Sequence, residues 1–156
     1  MIKTIIKKAV KEVVVSNFNM KEDDKRVKQL RKIERAFKRA YNVDTEVIFI
    51  DAKYKELVTK PSVNGYHNGG RHHIVVFITN DIRKNAVTLL HELTHAYQKK
   101  HMPREFKASR QAMDAGKVSY RNSWHETHAR HCADLLILGY IGKIDLRYAM
   151  DYAIAA

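Results

Sequence analysis

Residues 91–95 of this 156-residue chain read His91-Glu92-Leu93-Thr94-His95. Two histidines four apart on a helix emerge from one face a single turn apart, so both imidazoles can reach one tetrahedral ion at ~2.0–2.1 Å. Glu92 lies between them in sequence but off the ligand pair, where a carboxylate can take a proton from an activated water. These are the parts of metal-assisted hydrolysis. The metal lowers the pKa of its water toward ~7 and polarises the carbonyl under attack, while the carboxylate carries the proton to the departing amine. One zinc ion is the cofactor these ligand types imply.

A catalytic zinc site needs a third protein ligand and an open position for water. His101 is one candidate, because His91, His95 and His101 reproduce the outer spacing of the extended HExxHxxGxxH pattern. That pattern uses a glycine at its eighth position to end the helix, and here the eighth position is Gln98. If the helix continues, His101 lies about 15 Å along the axis from His91 and cannot share its metal. The stronger candidate is Glu126. It is followed at i+3, i+7 and i+10 by Ala129, Ala133 and Leu136, so its carboxylate points from an apolar helix face toward the core. A buried carboxylate needs a partner, and a metal is one. An arginine such as Arg121 or Arg130 is the bland alternative. His125 shares part of the same face and is the closest rival as ligand, whereas His128 and His131 lean elsewhere. Cys132 reads as a small packed hydrophobe.

These residues need elements to position them. Ile82, Ala86, Leu89, Leu90, Leu93 and Tyr97 form one apolar stripe, which predicts a helix from Asp81 to about Lys100, broken by Pro103. A short helix over 104–115 should end near Gly116. Another should run from about Ser123 to Leu138 and stop at Gly139, and a last one should start at Asp145 with Leu146, Ala149, Met150, Ala153 and Ile154 as its stripe. Val47–Ile50 and Ile74–Ile78 are β-branched runs that read as buried strands, and the turn-rich Asn64–Gly70 stretch predicts a further short strand, giving a sheet of about three strands. Upstream, Ile2, Ile5, Ile6, Ala9, Val10, Val13 and Val14 predict a core-packing amphipathic helix. A second helical pattern runs from Lys21 to Tyr41 with Val27, Leu30, Phe37 and Tyr41 facing in, and the two make a helical hairpin. There is no internal repeat.

Composition sets the outer limits. A chain of this length fits one domain, divided into the hairpin (1–42), a core (43–138) and a C-terminal helix (139–156). With 45% hydrophobic and 29% charged residues it is globular rather than disordered. A single cysteine excludes an intramolecular disulfide framework and makes a cytoplasmic setting the default. Lysines at 3, 7, 8 and 11 interrupt the apolar N-terminus, so neither a signal peptide nor a membrane span is expected. The net charge of +12 invites a nucleic-acid reading. Residues 1–42, however, hold 13 Lys+Arg against 5 Asp+Glu, a net of +8, which leaves only +4 on the part that carries the motifs.

The strand Ile74–Ile78, the LLHELTHAYQ stretch at 89–98 and the YRNSWHETHARHCADLL stretch at 120–136 together resemble the small gluzincin-type metallopeptidases of bacteria, phages and mobile elements, the ImmA/IrrE-like and SprT-like groups. The resemblance covers roughly residues 43–138. It implies an α+β, minimal zincin-like fold, with a small sheet packed on the HExxH helix and a second helix whose Glu126-x-x-Ala129 brings the third zinc ligand. It also implies peptide-bond hydrolysis, with a Tyr or His near the cleft, namely Tyr120, Tyr66 or His125, steadying the oxyanion. The chain departs from these groups in lacking a recognisable helix-turn-helix and a CxxC zinc ribbon, so substrate does not follow.

The resulting expectation is a zinc metallopeptidase acting on a protein or peptide. His91, His95 and Glu126 hold the metal, with His125 or His101 as alternative ligands, Glu92 is base then acid, and Tyr120 is the candidate transition-state donor. The rival expectations are a nucleic-acid-binding module with a structural or vestigial zinc, and a protease directed to nucleic-acid-bound proteins. In either case the basic face of residues 1–42 would meet the nucleic acid or another acidic partner.

Overall fold

The computed structural model describes residues 1–6, 8–9, 18–68 and 73–154. It is an α+β fold. Helix α1 (Lys25–Tyr41) leads into strand β1 (Glu46–Asp51) and a short 3₁₀ turn (Ala52–Leu57), followed by β2 (Gly65–Asn68) and β3 (His73–Ile78). Then come α2 (Ile82–His101), α3 (Pro103–Asp114) and α4 (Trp124–Leu135), and the described part ends in a 3₁₀ segment, Leu146–Asp151. No helix among the described residues is long and apolar enough to cross a membrane.

The sheet has order β1-β3-β2, with β1 parallel and β2 antiparallel to β3. Every residue of β3 is buried, as expected of a central strand covered on both faces. Strand alternation divides the core in two. Val47, Phe49, Ile74, Val76 and Ile78 face α1 and α2, where they meet Leu30, Phe37, Leu89 and Leu93. Ile48, Ile50, Val75 and Phe77 face the other way and are covered by Phe18, Tyr54, Val58 and Tyr66.

Local chemistry holds α2 against the sheet. Asp81 caps its first turn by accepting from the Lys84 amide at 3.0 Å. Asn85, buried one turn in, accepts from the Thr79 amide at 2.9 Å and donates to the Thr79 carbonyl at 2.8 Å. The exit of β3 is thereby fastened to the start of the helix that carries the motif. On the other flank, buried Glu34 pairs with Arg31 and Lys38, and Arg31 also donates to the Val47 carbonyl, tying α1 to β1.

Four expectations are corrected at the margins. Ile2, Ile5 and Ile6 are helical yet largely exposed rather than core-packing; α1 already spends its apolar face on the sheet and α2 and turns charged side chains outward. Val10, Val13 and Val14 lie outside the described residues. Ile82, at the first helical position of α2, is mostly exposed. The last predicted helix is a 3₁₀ segment with a repeat of three, so Leu146 and Ala149 share the buried face while Met150 and Ile154 stay exposed. Likewise α4 stops at Leu135 and passes into a π turn, where Gly139 adopts φ 101°.

Candidate metal centre

Helix α2 runs straight through the HExxH segment and presents His91 and His95 on one side, their rings edge to face with centroids 4.7 Å apart. Helix α4 packs across it, and the zero exposure of Ala129 reflects the close approach that a small side chain allows. Glu126 lies one turn before Ala129. It is 4% exposed, and its carboxylate meets both histidines: Oε2 is 3.1 Å from His91 Nε2 and Oε1 is 3.0 Å from His95 Nε2. The two Nε2 atoms are 3.1 Å apart.

His91, His95 and Glu126 thus offer three ligand atoms in one small triangle, a group able to hold a metal ion. Four atoms around a tetrahedral first-row ion at about 2.0–2.1 Å stand roughly 3.3 Å apart, close to the spacing seen here. Neither arginine considered as a partner pairs with Glu126 among the described residues, and Arg130 instead donates to the Arg121 carbonyl and to Thr127 Oγ1.

The hydrogen bonds behind the triangle decide which nitrogen faces it. Gln98 is fully buried on α2, and its Oε1 accepts from His95 Nδ1–H at 2.9 Å. With its Nδ1–H held by Gln98, His95 turns Nε2 into the site, where the neutral imidazole offers a lone pair to a metal; without one, burial works against a proton on His95 but is outweighed by the hydrogen bond to Glu126 and the charge of Glu92, which raise it. The Gln98 amide nitrogen donates to the His125 carbonyl at 2.9 Å and to His128 Nδ1 at 2.8 Å. His128 in turn donates from Nε2 to the Leu146 carbonyl at 2.7 Å and stacks on Trp124. In the sequence, Gln98 reads only as the absence of a glycine and His128 as leaning away from the site. Both are supports of the site.

Glu92 lies beside the triangle on α2 and is 7% exposed. Burial pushes its carboxyl above the ordinary range, opposed by the charges of His95 and His91. For Glu126, burial acts the same way but is outweighed by hydrogen bonds from His91 and His95, which hold it well below the carboxylate range. Glu92 has room only because its neighbour across the sheet edge is Gly65. A Cβ there would stand 2.9 Å from Thr88 Cγ2, 3.1 Å from the Val75 carbonyl and 3.2 Å from Glu92 Cγ. Gly65 read as a turn former in the sequence, yet it serves as the wall against which the HExxH helix packs.

The other candidates separate cleanly. His101 sits at the far end of α2, donating to the Asn42 carbonyl at 3.0 Å, and takes no part in the triangle. His125 lies near it, with Nε2 3.8 Å from Glu126 Oε1, but its Nδ1 is held by Ser109 Oγ at 2.7 Å. Burial and the charge of His95 lower His125 to about 4, so it stays neutral. His131 donates to the Tyr152 carbonyl, away from the site. Cys132 is buried, and burial raises its thiol to about 12.

An open cleft of about 500 Å³ gives access to the triangle. Gly65, Tyr66 and His67 of edge strand β2 line one side, and Phe106 and Arg110 of α3 line the other, with Tyr120 at the rim. Tyr120 is 61% exposed overall, but burial near its hydroxyl and the charge of Glu126 raise its phenol, so it remains a donor at neutral pH. No known protein family matches this chain, and neither a characterised protein nor a solved structure does so.

Proposed function

We propose that the chain is a zinc-dependent metallopeptidase. The observation that carries the reading is the cluster of potential ligand atoms from His91, His95 and Glu126, with the His95 ring oriented by Gln98 so that Nε2 faces inward. Two imidazole nitrogens and a carboxylate packed this closely need a positive charge among them, either a proton on an imidazole nitrogen or a metal ion. Two imidazoles and one carboxylate are a donor set suited to catalytic zinc, with a further position open toward the cleft. Bound there, zinc would supply Lewis acidity, polarising the scissile carbonyl and lowering the pKa of water toward ~7.

The remaining steps belong to the chain. Glu92, its pKa raised by burial, is suited to accept the proton of the attacking water and to hand it to the departing amine. Tyr120, protonated at the rim, can donate to the developing oxyanion. Among the described residues, edge strand β2 has β3 on one side only, an edge suited to pairing with an extended peptide. The test is the Glu92→Gln variant. It should keep one zinc per chain and lose cleavage of an unfolded protein substrate; full activity in that variant would overturn the mechanism.

One observation favours a more specific version, a peptidase acting on nucleic-acid-bound proteins. Lys25, Lys28, Lys32, Arg35 and Arg39 recur at helical spacing along α1, all exposed and none in an ion pair among the described residues. The stripe extends over about 21 Å of helix, long enough to follow several phosphates. Duplex binding that weakens steeply between roughly 50 and 200 mM salt, and is lost on reversing Lys28 and Lys32 to Glu, would support it. Salt-independent or undetectable binding would remove it.

A further inference from the structure

Two cations in the cleft have no carboxylate to answer them. Lys99 follows His95 by one turn on the same side of α2, about 6 Å further along the axis. It is half-buried, its ammonium donates to His67 Nδ1 on β2, and it lies 5.4 Å from the centre of the Phe106 ring. Arg110, one turn beyond Phe106 on α3, faces the same space. Neither forms an ion pair among the described residues. The two are close enough to oppose each other: burial, then the charge of Arg110, lowers Lys99, and Glu92 only partly offsets this. Of the two carboxylates lining the cleft, Glu126 is taken by the histidines and Glu92 stands back from Lys99 beyond ion-pair distance.

A half-buried ammonium beside a guanidinium, held open by a histidine acceptor and an aromatic face, is an arrangement that an incoming carboxylate would complete. Both cations line the same cleft as His95 and Glu126, so an anion held there belongs to a substrate that also reaches the triangle.

We infer that Lys99 and Arg110 form a carboxylate-binding subsite, so that the enzyme selects peptides carrying a carboxylate near the scissile bond. This rests on the peptidase reading above. The carboxylate can belong to an Asp or Glu side chain or to the free C-terminus of a short peptide, and the test distinguishes the two.

Zinc-loaded protein is assayed with matched quenched-fluorescence peptides that differ only in Glu against Gln at each position flanking the bond, and in free acid against amide at the C-terminus. The subsite predicts a kcat/KM preference of roughly tenfold or more for Glu at one position, or for the free acid. Charge reversal in Lys99→Glu or Arg110→Glu should abolish or invert that ratio. Because the readout is a ratio within one preparation, partial loss of folded or metal-loaded protein does not imitate the effect. Arg110 is exposed on α3, so its variant remains informative if Lys99→Glu fails to fold. A ratio near one for every peptide, or a preference that survives both reversals, overturns the subsite and leaves the peptidase reading standing. Absence of cleavage of any peptide overturns the reading and the subsite with it.

Discussion

Replacing Gln98 with Met removes the polar atoms at the centre of the support network and nearly preserves the volume. Three buried groups lose their partner: His95 Nδ1–H, the His125 carbonyl and His128 Nδ1. Leaving a buried polar group unsatisfied costs about 1–3 kcal/mol, so three of them give a loss of roughly 3–6 kcal/mol, after some relaxation. That is a large part of the ~5–15 kcal/mol holding a typical domain together. At the metal, loss of the acceptor that orients a ligand imidazole typically weakens binding about 10–100-fold. The companion variant, Gln98→Glu, keeps an acceptor for His95 Nδ1–H but loses the amide donor to His128 and His125. It should therefore retain zinc affinity near the wild-type level while still losing stability. Zinc competition against a chromophoric chelator reads the first effect, and thermal melting the second. If Gln98→Met binds zinc as tightly as wild type, Gln98 does not set the His95 tautomer and the argument for the inward lone pair fails.

Gly65→Ala should cost roughly 1–3 kcal/mol, because the new methyl meets Thr88, the Val75 carbonyl and Glu92; a neutral effect in urea unfolding would mean the β2–α2 contact is looser than described. The Cys132 thiol, raised to about 12, should react with a disulfide reagent at pH 8 at least about 1,000-fold slower in the folded chain than in urea, and equal rates would contradict its burial. His125 is lowered to about 4 from 6.5, so between those values the unfolded chain binds more protons and stability falls as pH falls through that window. In urea melts, His125→Gln should flatten this slope, and an unchanged slope would assign the acid sensitivity to other groups.

The parts of the site legible in sequence are those that a single helix specifies. The spacing of His91 and His95 follows from the helical period, and the inward aim of Glu126 follows from the alanines at i+3 and i+7 on its own face. The strands were legible because β3 is buried on both faces and therefore reads as an unbroken run of β-branched and aromatic residues. What stayed hidden depends on contacts between distant elements. Gln98 reaches across from α2 to groups 27 and 30 residues away on α4, and no local pattern marks a polar side chain for that task. Gly65 looks like any turn glycine until Glu92 and Thr88 are placed against it. At the C-terminus the apolar spacing fitted an α-helix as far as Ile154, and the change to a repeat of three came from packing Leu146 and Ala149 on the core.

The central claim, that His91, His95 and Glu126 hold one zinc ion that turns the cleft into a peptidase, is tested most directly by titrating chelator-stripped protein with zinc while following cleavage of an unfolded protein. The account predicts no cleavage at the start, a rise in proportion to added metal, and a plateau at one equivalent that disappears in Glu126→Ala. Cleavage unaffected by stripping, or a protein that takes up one zinc through these residues and cleaves nothing, would contradict it.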